Sequence, residues 1–530
     1  VSDTLLDTAH SSTLNAHGLS SNATQRGRPW GLVVAAWAVA LTALAPIGFL
    51  LLESWRAGWA AITAVLFRHL TVSLLVNTIE MTVLVTAIAA VLGVGAAWLL
   101  ERTDLPFRRF FFVALLIPAA IPDFIETFGW VGVWPALRGL WGAVFVLSLA
   151  VYPFVMLPVV AGLRRIDQGR EEVARSLGSS TLRTFVRVTL PELAVPIAGG
   201  CLVVALQLLA EYGSFQILGF RTFTTEIFAA FQVGFDAAAA AALSLVLVLL
   251  SAVLVRCEAA AGQGGRSLMT SEGLAPRRLA LGRLRPFATL LALALVGLAL
   301  VVPVGEIIRL LAHPGPALLP SASIWSPLGH TVLYAALAGV LAVSGATVVA
   351  LCSHRTRGWL TRLPSAASLV PLAVPGVVVA LAFTFMAEHY FQGRLYQTST
   401  LLVVAYAVMF LPLALVGIRA SLSQVPVSLN EVAASLGVRP LAQFFSITLP
   451  LIAPGIGVGF ALVFLTTLTE LTATLVLIPT GVQTLATQFW SYQSNLAYGQ
   501  AAPYAAAMIV VAALPLALVS GLGLRRGRRS

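Results

Sequence analysis

Two glutamates, Glu211 and Glu470, stand 259 residues apart at the ends of long apolar runs that carry no other charge. A carboxylate inside a membrane helix costs roughly 3 kcal/mol on insertion scales, so such a residue marks a functional position by default. Glu80, Asp123 and Glu126 add carboxylates in the first half of the chain alone. Carboxylate oxygens are hard ligands and suit a hard cation in passage. The candidate translocation pathway is therefore Glu80, Glu126, Glu211, Tyr212, Glu470 and Thr472. The competing reading is that Glu211 and Glu470 cap helix breaks or bond to neighbouring helices. His330, His354 and His389 are scattered, and no metal site is expected.

These carboxylates need helices to hold them. The chain has 530 residues, 59% hydrophobic and 10% charged. A soluble domain carries about a quarter of its residues as charges, so lipid must be the main solvent here. The apolar runs are near the ~20 residues that cross a bilayer core and show no period-two alternation. Helices rather than a barrel follow. The fold class is all-α, a polytopic membrane protein with about 12 transmembrane helices near residues 31–52, 73–100, 110–131, 141–163, 195–216, 237–256, 287–310, 328–352, 365–387, 399–420, 454–477 and 502–523. The Ser/Thr/Asn-rich residues 1–29 read as a disordered tail without the pattern of a secretory signal. Cys201, Cys257 and Cys352 have no metal-ligand spacing and read as free thiols.

Charge orients the helices. The Lys+Arg count of 32 is entirely arginine. With the N-terminus in the cytoplasm, 26 arginines fall on inner loops and 6 on outer ones, a strong positive-inside bias. That explains the net charge of +11 by the anionic inner leaflet, without nucleic acid. The missing lysine also excludes a P-loop, whose Lys reaches the nucleotide phosphates. Any ATP-driven role requires a partner chain.

The chain repeats itself. Glu171–Pro191, EEVARSLGSSTLRTFVRVTLP, matches Asn430–Pro450, NEVAASLGVRPLAQFFSITLP, at 11 of 21 positions with an offset of 259 and no gap. Pro118 and Pro122 recur as Pro371 and Pro375, and Asn77-Thr78 as His330-Thr331. An even number of helices per unit makes the repeat parallel. The organisation is a tail at 1–29, a first unit at 30–256 with a loop at 164–194, a cytoplasmic linker at 257–286, and a second unit at 287–530 with a loop at 421–453.

Each repeated loop reads as two short helices at an angle. An acidic residue suits the first helix N-terminus, Gly178 and Gly437 are free to end it, and Pro191 and Pro450 open the next helix. Ordinary connectors in the headgroups have no need to match so closely while the membrane helices diverge.

The loops resemble the cytoplasmic signature of permeases of binding-protein-dependent ABC importers: Glu-Ala-Ala, three residues, Gly, nine residues, then Ile-x-Leu-Pro. Here it stands as Glu172-Val173-Ala174, Gly178 and Val188-Thr189-Leu190-Pro191, and again as Glu431-Val432-Ala433, Gly437 and Ile447-Thr448-Leu449-Pro450. Val173, Val432 and Val188 are the departures. The resemblance covers roughly 70–525 and implies the type I ABC importer permease fold. It implies that Glu172, Ala174, Gly178, Leu182 and Pro191, with Glu431, Ala433, Gly437, Leu441 and Pro450, form coupling helices for separate ATPase subunits, two identical copies. ATP and Mg would be bound by those partners, with no cofactor in this chain. An extracytoplasmic binding protein would deliver cargo across a bacterial inner membrane, both termini being cytoplasmic. Glu211–Phe228 and Glu470–Leu485 resemble the outer loops of ferric-iron permeases, with thiamine, aminophosphonate and polyamine importers as alternatives. A secondary transporter would explain the helix count and the carboxylates but not the paired loops. A membrane scaffold would leave the loops without a task.

Overall fold

The computed structural model describes residues 30–166, 168–234, 236–262, 279–313, 324–355, 358–426, 429, 432–433 and 435–526. The expected tail, Glu431 and most of the linker lie outside this set, as does the Leu182 side chain.

The first repeat runs α1 (Trp30–Ala57), α2 (Trp59–Leu66), α3 (His69–Arg102), α4 (Arg108–Leu116), α5 (Asp123–Val133) and α6 (Gly139–Leu163). Then come α7 (Gln168–Ser176), α8 (Thr181–Thr184), α9 (Ala194–Ala210), α10 (Gly213–Leu218), α11 (Phe223–Gln232) and α12 (Ala237–Gly262). The second repeat follows with α13 (Gly282–Ala312), α14 (Trp325–Arg355), α15 (Trp359–Ala367), α16 (Gly376–Tyr390) and α17 (Ser399–Leu422). It ends with α18 (Pro440–Gln443), α19 (Leu449–Leu468), α20 (Thr472–Leu477), α21 (Leu485–Ser494) and α22 (Tyr498–Arg526). Among the described residues, 8 helices are long and apolar enough to span a membrane, or up to 11 if each bent pair is one span. The chain is an all-α polytopic protein, and a helix overlaps each of the twelve expected stretches.

Four expected spans are not single straight helices. The stretch expected at 110–131 turns by 99° between α4 and α5, and 365–387 turns by 111° between α15 and α16. The repeated prolines are the cause. A proline lacks the N–H for the helical ladder and pushes the preceding residue out of α conformation. Each corner is a short 3₁₀ turn, Ile117–Ala120 or Val370–Ala373, closed by Ile121 N–H on the Pro118 carbonyl or Val374 N–H on that of Pro371. The stretch expected at 195–216 stops at Ala210, and 454–477 stops at Leu468; α10 and α20 then begin after a break at Glu211 and Glu470.

The repeats exchange their first helices. Val33, Ala36 and Ala43 of α1 are buried in a cluster with Ala342, Ala346, Leu411, Leu415 and Ile418 of the second repeat. The Trp37 indole N–H donates to the Leu360 carbonyl at 3.0 Å. In return, Ala288, Ala292, Val296 and Ile307 of α13 lie in the first repeat's core with Met81, Phe111, Val151 and Phe215. The crossing of α13 over α5 is close, since a Cβ on Gly129 would lie 2.6 Å from the Pro303 Cα. Each sequence unit thus completes its core with a helix of the other.

Candidate functional site

The two loops build the same corner from the same chemistry. In the first, α7 ends at Gly178, whose φ of +84° is a left-handed conformation that glycine adopts without Cβ strain. Ser179 N–H then donates to the Ala174 carbonyl at 3.1 Å. In the second, Gly437 has φ +75° and Val438 N–H donates to the Ala433 carbonyl, also at 3.1 Å. This six-to-one bond satisfies a carbonyl that the helix end would orphan. The spacing Ala-x-x-x-Gly is therefore a helix stop with its acceptor.

The return arms also agree. Phe185–Thr189 and Phe444–Thr448 are both π-helical turns at the repeat offset. Such turns are rare and recur at functional sites. Pro191 sits in the first turn of Leu190–Glu192 and Pro450 in the first turn of α19, as their missing N–H permits. One difference follows: the first copy bends by 62° before α9, whereas Leu441–Leu468 continues as one span.

The loops present apolar side chains outward. Leu177 is 80% exposed and Leu436 76%, beside Val173, Val432 and Leu441, all of them exposed. Glu172, Pro191 and Pro450 are exposed as well. Exposed apolar side chains at equivalent positions of both loops suit an interaction surface.

The pathway candidates divide. Glu211 and Glu470 are brought together near the contact of the repeats. A Cβ on Gly213 would meet both Phe124 and Leu471, so the two breaks abut. Glu211 lies within electrostatic reach of Asp123 and of Glu470. Each glutamate caps the short helix that follows it: Ser214 N–H donates to Glu211 Oε1 at 2.7 Å, and Ala473 N–H to Glu470 Oε1 at 2.9 Å. Their carbonyls accept the hydroxyls of Thr224 and Thr474. The structure thus assigns both carboxylates a capping task. Thr472 is the buried first residue of α20. Tyr212 is buried and joins the repeats by packing between Phe228 and Trp490, 4.4 and 5.5 Å between centroids.

Glu126 lies on α5, fully buried, with neither carboxylate oxygen hydrogen-bonded in the described structure. Asp123 on the same helix accepts from Gln207 Nε2 at 3.0 Å. Glu80 does not join this group. It stands on the exposed face of α3 one turn from Val76 and Val83, themselves exposed. Among the described residues no three His, Cys, Asp or Glu side chains converge as metal ligands.

The repeated Thr78 and Thr331 hold the segments beyond the breaks. Their hydroxyls accept the N–H of Phe223 and of Leu485, at 3.3 and 2.9 Å. Asn77 donates to the Arg221 carbonyl, and His330 Nδ1 pairs with that of Gln483, both at 3.1 Å. Beyond Tyr212 a cavity of about 400 Å³ opens between the repeats, lined by Phe128, Gln216, Arg309, Trp490 and Tyr498 among others. It lies toward the end of α13 that is remote from the loops.

Sequence reasoning missed a further pair. Glu306 and Arg309 form a two-pronged ion pair on α13. At an offset of 253, Glu53 and Arg56 pair more loosely at 3.8 Å on α1. Arg56 instead meets His389 Nε2 at 2.9 Å and so ties α1 to the second repeat. The offset already shared by the prolines was the signal. Glu171 was also missed as a site residue, although it begins the repeated segment.

Comparison with known proteins identifies the family. The family described as "Binding-protein-dependent transport system inner membrane component" matches twice, at residues 89–260 and 346–526. The chain is 32% identical over 505 residues to the Fe(3+)-transport system permease protein FbpB 2 of Haemophilus influenzae, covering 93% of this chain and 98% of that protein. It is 24% identical over 477 residues to the probable ABC transporter permease protein y4fN of Sinorhizobium fredii, covering 80% and 83%. A shorter match of 26% over 165 residues, 27% of this chain and 60% of the relative, is to the spermidine/putrescine transport system permease protein PotB of Escherichia coli.

Proposed function

The chain belongs to the inner-membrane components of binding-protein-dependent transport systems, and from that premise we propose that it is the fused permease of an ATP-driven ferric-iron importer. The observation that carries the ATP-driven part is the pair of loops with one corner geometry, each following the fourth span of its repeat. Full-length likeness to a ferric permease supports the cargo. Hydrolysis, with its ATP and Mg, belongs to two identical partner ATPases, one seated on each loop. Glu172, Ala174, Gly178, Leu182 and Pro191 contribute to one seat, and Glu431, Ala433, Gly437, Leu441 and Pro450 to the other. Both termini face the cytoplasm, and an extracytoplasmic binding protein delivers cargo to the opposite face.

Cargo passes between the repeats, where the breaks at Glu211-Tyr212 and Glu470-Leu471-Thr472 abut. Paired half-repeats with broken helices at their contact suit alternating access by rocking of one half against the other. Carboxylates already used as caps offer weak oxygen contacts rather than a tight cage, as a pathway that must release its ion requires.

The test is uptake of ferric ion into proteoliposomes holding this chain, the cognate ATPase and an iron-loaded binding protein. Uptake should require all three together with ATP. Uptake driven by an ion gradient without the ATPase would overturn the ATP-driven reading. ATP-driven uptake of a polyamine with no uptake of iron would overturn the cargo alone.

A further inference from the structure

The inner end of α3 is a node of buried charge. Arg102, its last residue, is 3% exposed, and its guanidinium lies 3.2 Å from the Glu171 carboxylate. Glu171 belongs to α7, the first helix of the first loop, and it also accepts the Thr189 hydroxyl at 2.9 Å from the π turn. One carboxylate thus joins the end of a membrane helix to both arms of the loop. Next to it, the buried Glu101 carboxylate is held by Arg108 from one side and by Arg164, at 2.7 Å, from the other. Just beyond, Leu279 N–H donates to the Arg102 carbonyl at 2.8 Å, and Leu281 N–H to the Asp104 carboxylate at 2.8 Å. The chain entering α13 is therefore fastened to the same point.

The second repeat serves as an internal control for this node. At offset 253 the counterparts of Glu101, Asp104 and Arg108 are His354, Arg357 and Thr361. At offset 259 those of Arg164 and Glu171 are Ser423 and Asn430. Only Arg102 keeps its type, as Arg355. The sequence of the second repeat thus lacks the charged pair. Buried ion pairs give little net stability for the cost of desolvating them, yet removing one partner is strongly destabilising locally. Their consequence is to hold three segments in one register.

We infer that Glu171, through Arg102, is a positioning residue that latches the first coupling loop to α3. A push on α7 then moves α3 and the entry to α13 as one body, while the second loop carries the uncharged Asn430 at the equivalent position. The two ATPases would act on inequivalent levers. This rests on the reading that the loops dock ATPases.

The test begins with hydrogen exchange on the full chain in nanodiscs, comparing E171N, which installs the second repeat's residue, with E171D. In E171N, amides of residues 170–176 should exchange about tenfold faster by local opening, and those of 432–436 should not change. E171D, keeping the charge, should retain most of the protection. In the reconstituted complex with iron-loaded binding protein, E171N should keep its ATPases bound and hydrolysis within about twofold. Ions delivered per ATP should fall at least about fivefold, and N430A should leave that ratio alone. Wild-type exchange in E171N, an unchanged ratio, or release of the ATPases would each overturn the latch. If the wild-type complex shows no ATP-driven uptake, the docking reading fails, and the exchange comparison still decides the latch.

Discussion

The two repeats agree in the geometry of their exposed loops and diverge in polarity at several buried positions. Their loops share a left-handed glycine, the same carbonyl acceptor and a π turn at the same position. Their interiors diverge in polarity. Asp123, Glu126, Ser148, Tyr152, Gln207 and Ser214 of the first repeat stand opposite Gly376, Val379, Ala407, Leu411, Thr466 and Ala473. In the first repeat several of these polar atoms lack a partner, among them both Glu126 oxygens and the Ser148 and Ser214 hydroxyls. Buried polar groups without partners are costly. The second repeat reaches the same arrangement without them, so folding alone does not require them. On the proposed docking, fit to a partner constrains the loops, whereas these interior positions need only pack.

The symmetry of the loops is broken most severely by G178D combined with G437D. Side chains at positive φ strain both corners, and a charge enters both apolar faces. Uptake should fall to background and the ATPase should no longer co-purify. If only one of the single variants loses ATPase, the seats are not equivalent.

The asymmetry of the interiors is sharpened by exchanging residues between repeats. V379E places an unpaired carboxylate at a fully buried site and should destabilise by about 3 kcal/mol or more. E126V removes one that has no partner and should stabilise by about 1–3 kcal/mol. Thermal midpoints in detergent read both, and equal effects of the same sign would refute the comparison. A smaller effect is expected at the helix crossing. Gly129 abuts Pro303, and its counterpart is Ala382. G129A should cost about 1–3 kcal/mol by overpacking, and A382G about 1 kcal/mol through chain entropy. Smallest is R56A, an exposed pair worth under about 1 kcal/mol. R309A should lower the midpoint further, because the buried Glu306 would lose its partner.

Much of this is legible in the amino-acid sequence. The loops were legible because a helix stop needs glycine and its acceptor at a fixed spacing. The corners at Pro118–Pro122 and Pro371–Pro375 were marked by their residues, but the expected helices ran straight through them. Hydropathy sees only that both sides are apolar, not the turn between them. Glu211 and Glu470 were found because charge is rare in apolar runs. Capping of a helix break was one of the two readings their sequence left open, and the turn of the chain after each of them supplies the amides they cap. Glu171 escaped notice because it looks like any acidic helix start until Arg102, 69 residues earlier, is brought beside it.

The sequence by itself determined that the chain is a helical membrane protein, that its units are parallel copies, and that each copy carries the same loop corner. Composition, hydrophobic run length and turn chemistry are local properties, and they act before distant parts meet. Tertiary structure alone decided that α1 and α13 cross to the opposite repeat, that Tyr212 packs on Trp490, and that Glu171 is brought beside Arg102. These membrane helices are apolar on nearly every face, so their patterns do not name their neighbours. Close packing at points such as Gly129 on Pro303 selects the partner, and that selection exists only once the helices are assembled.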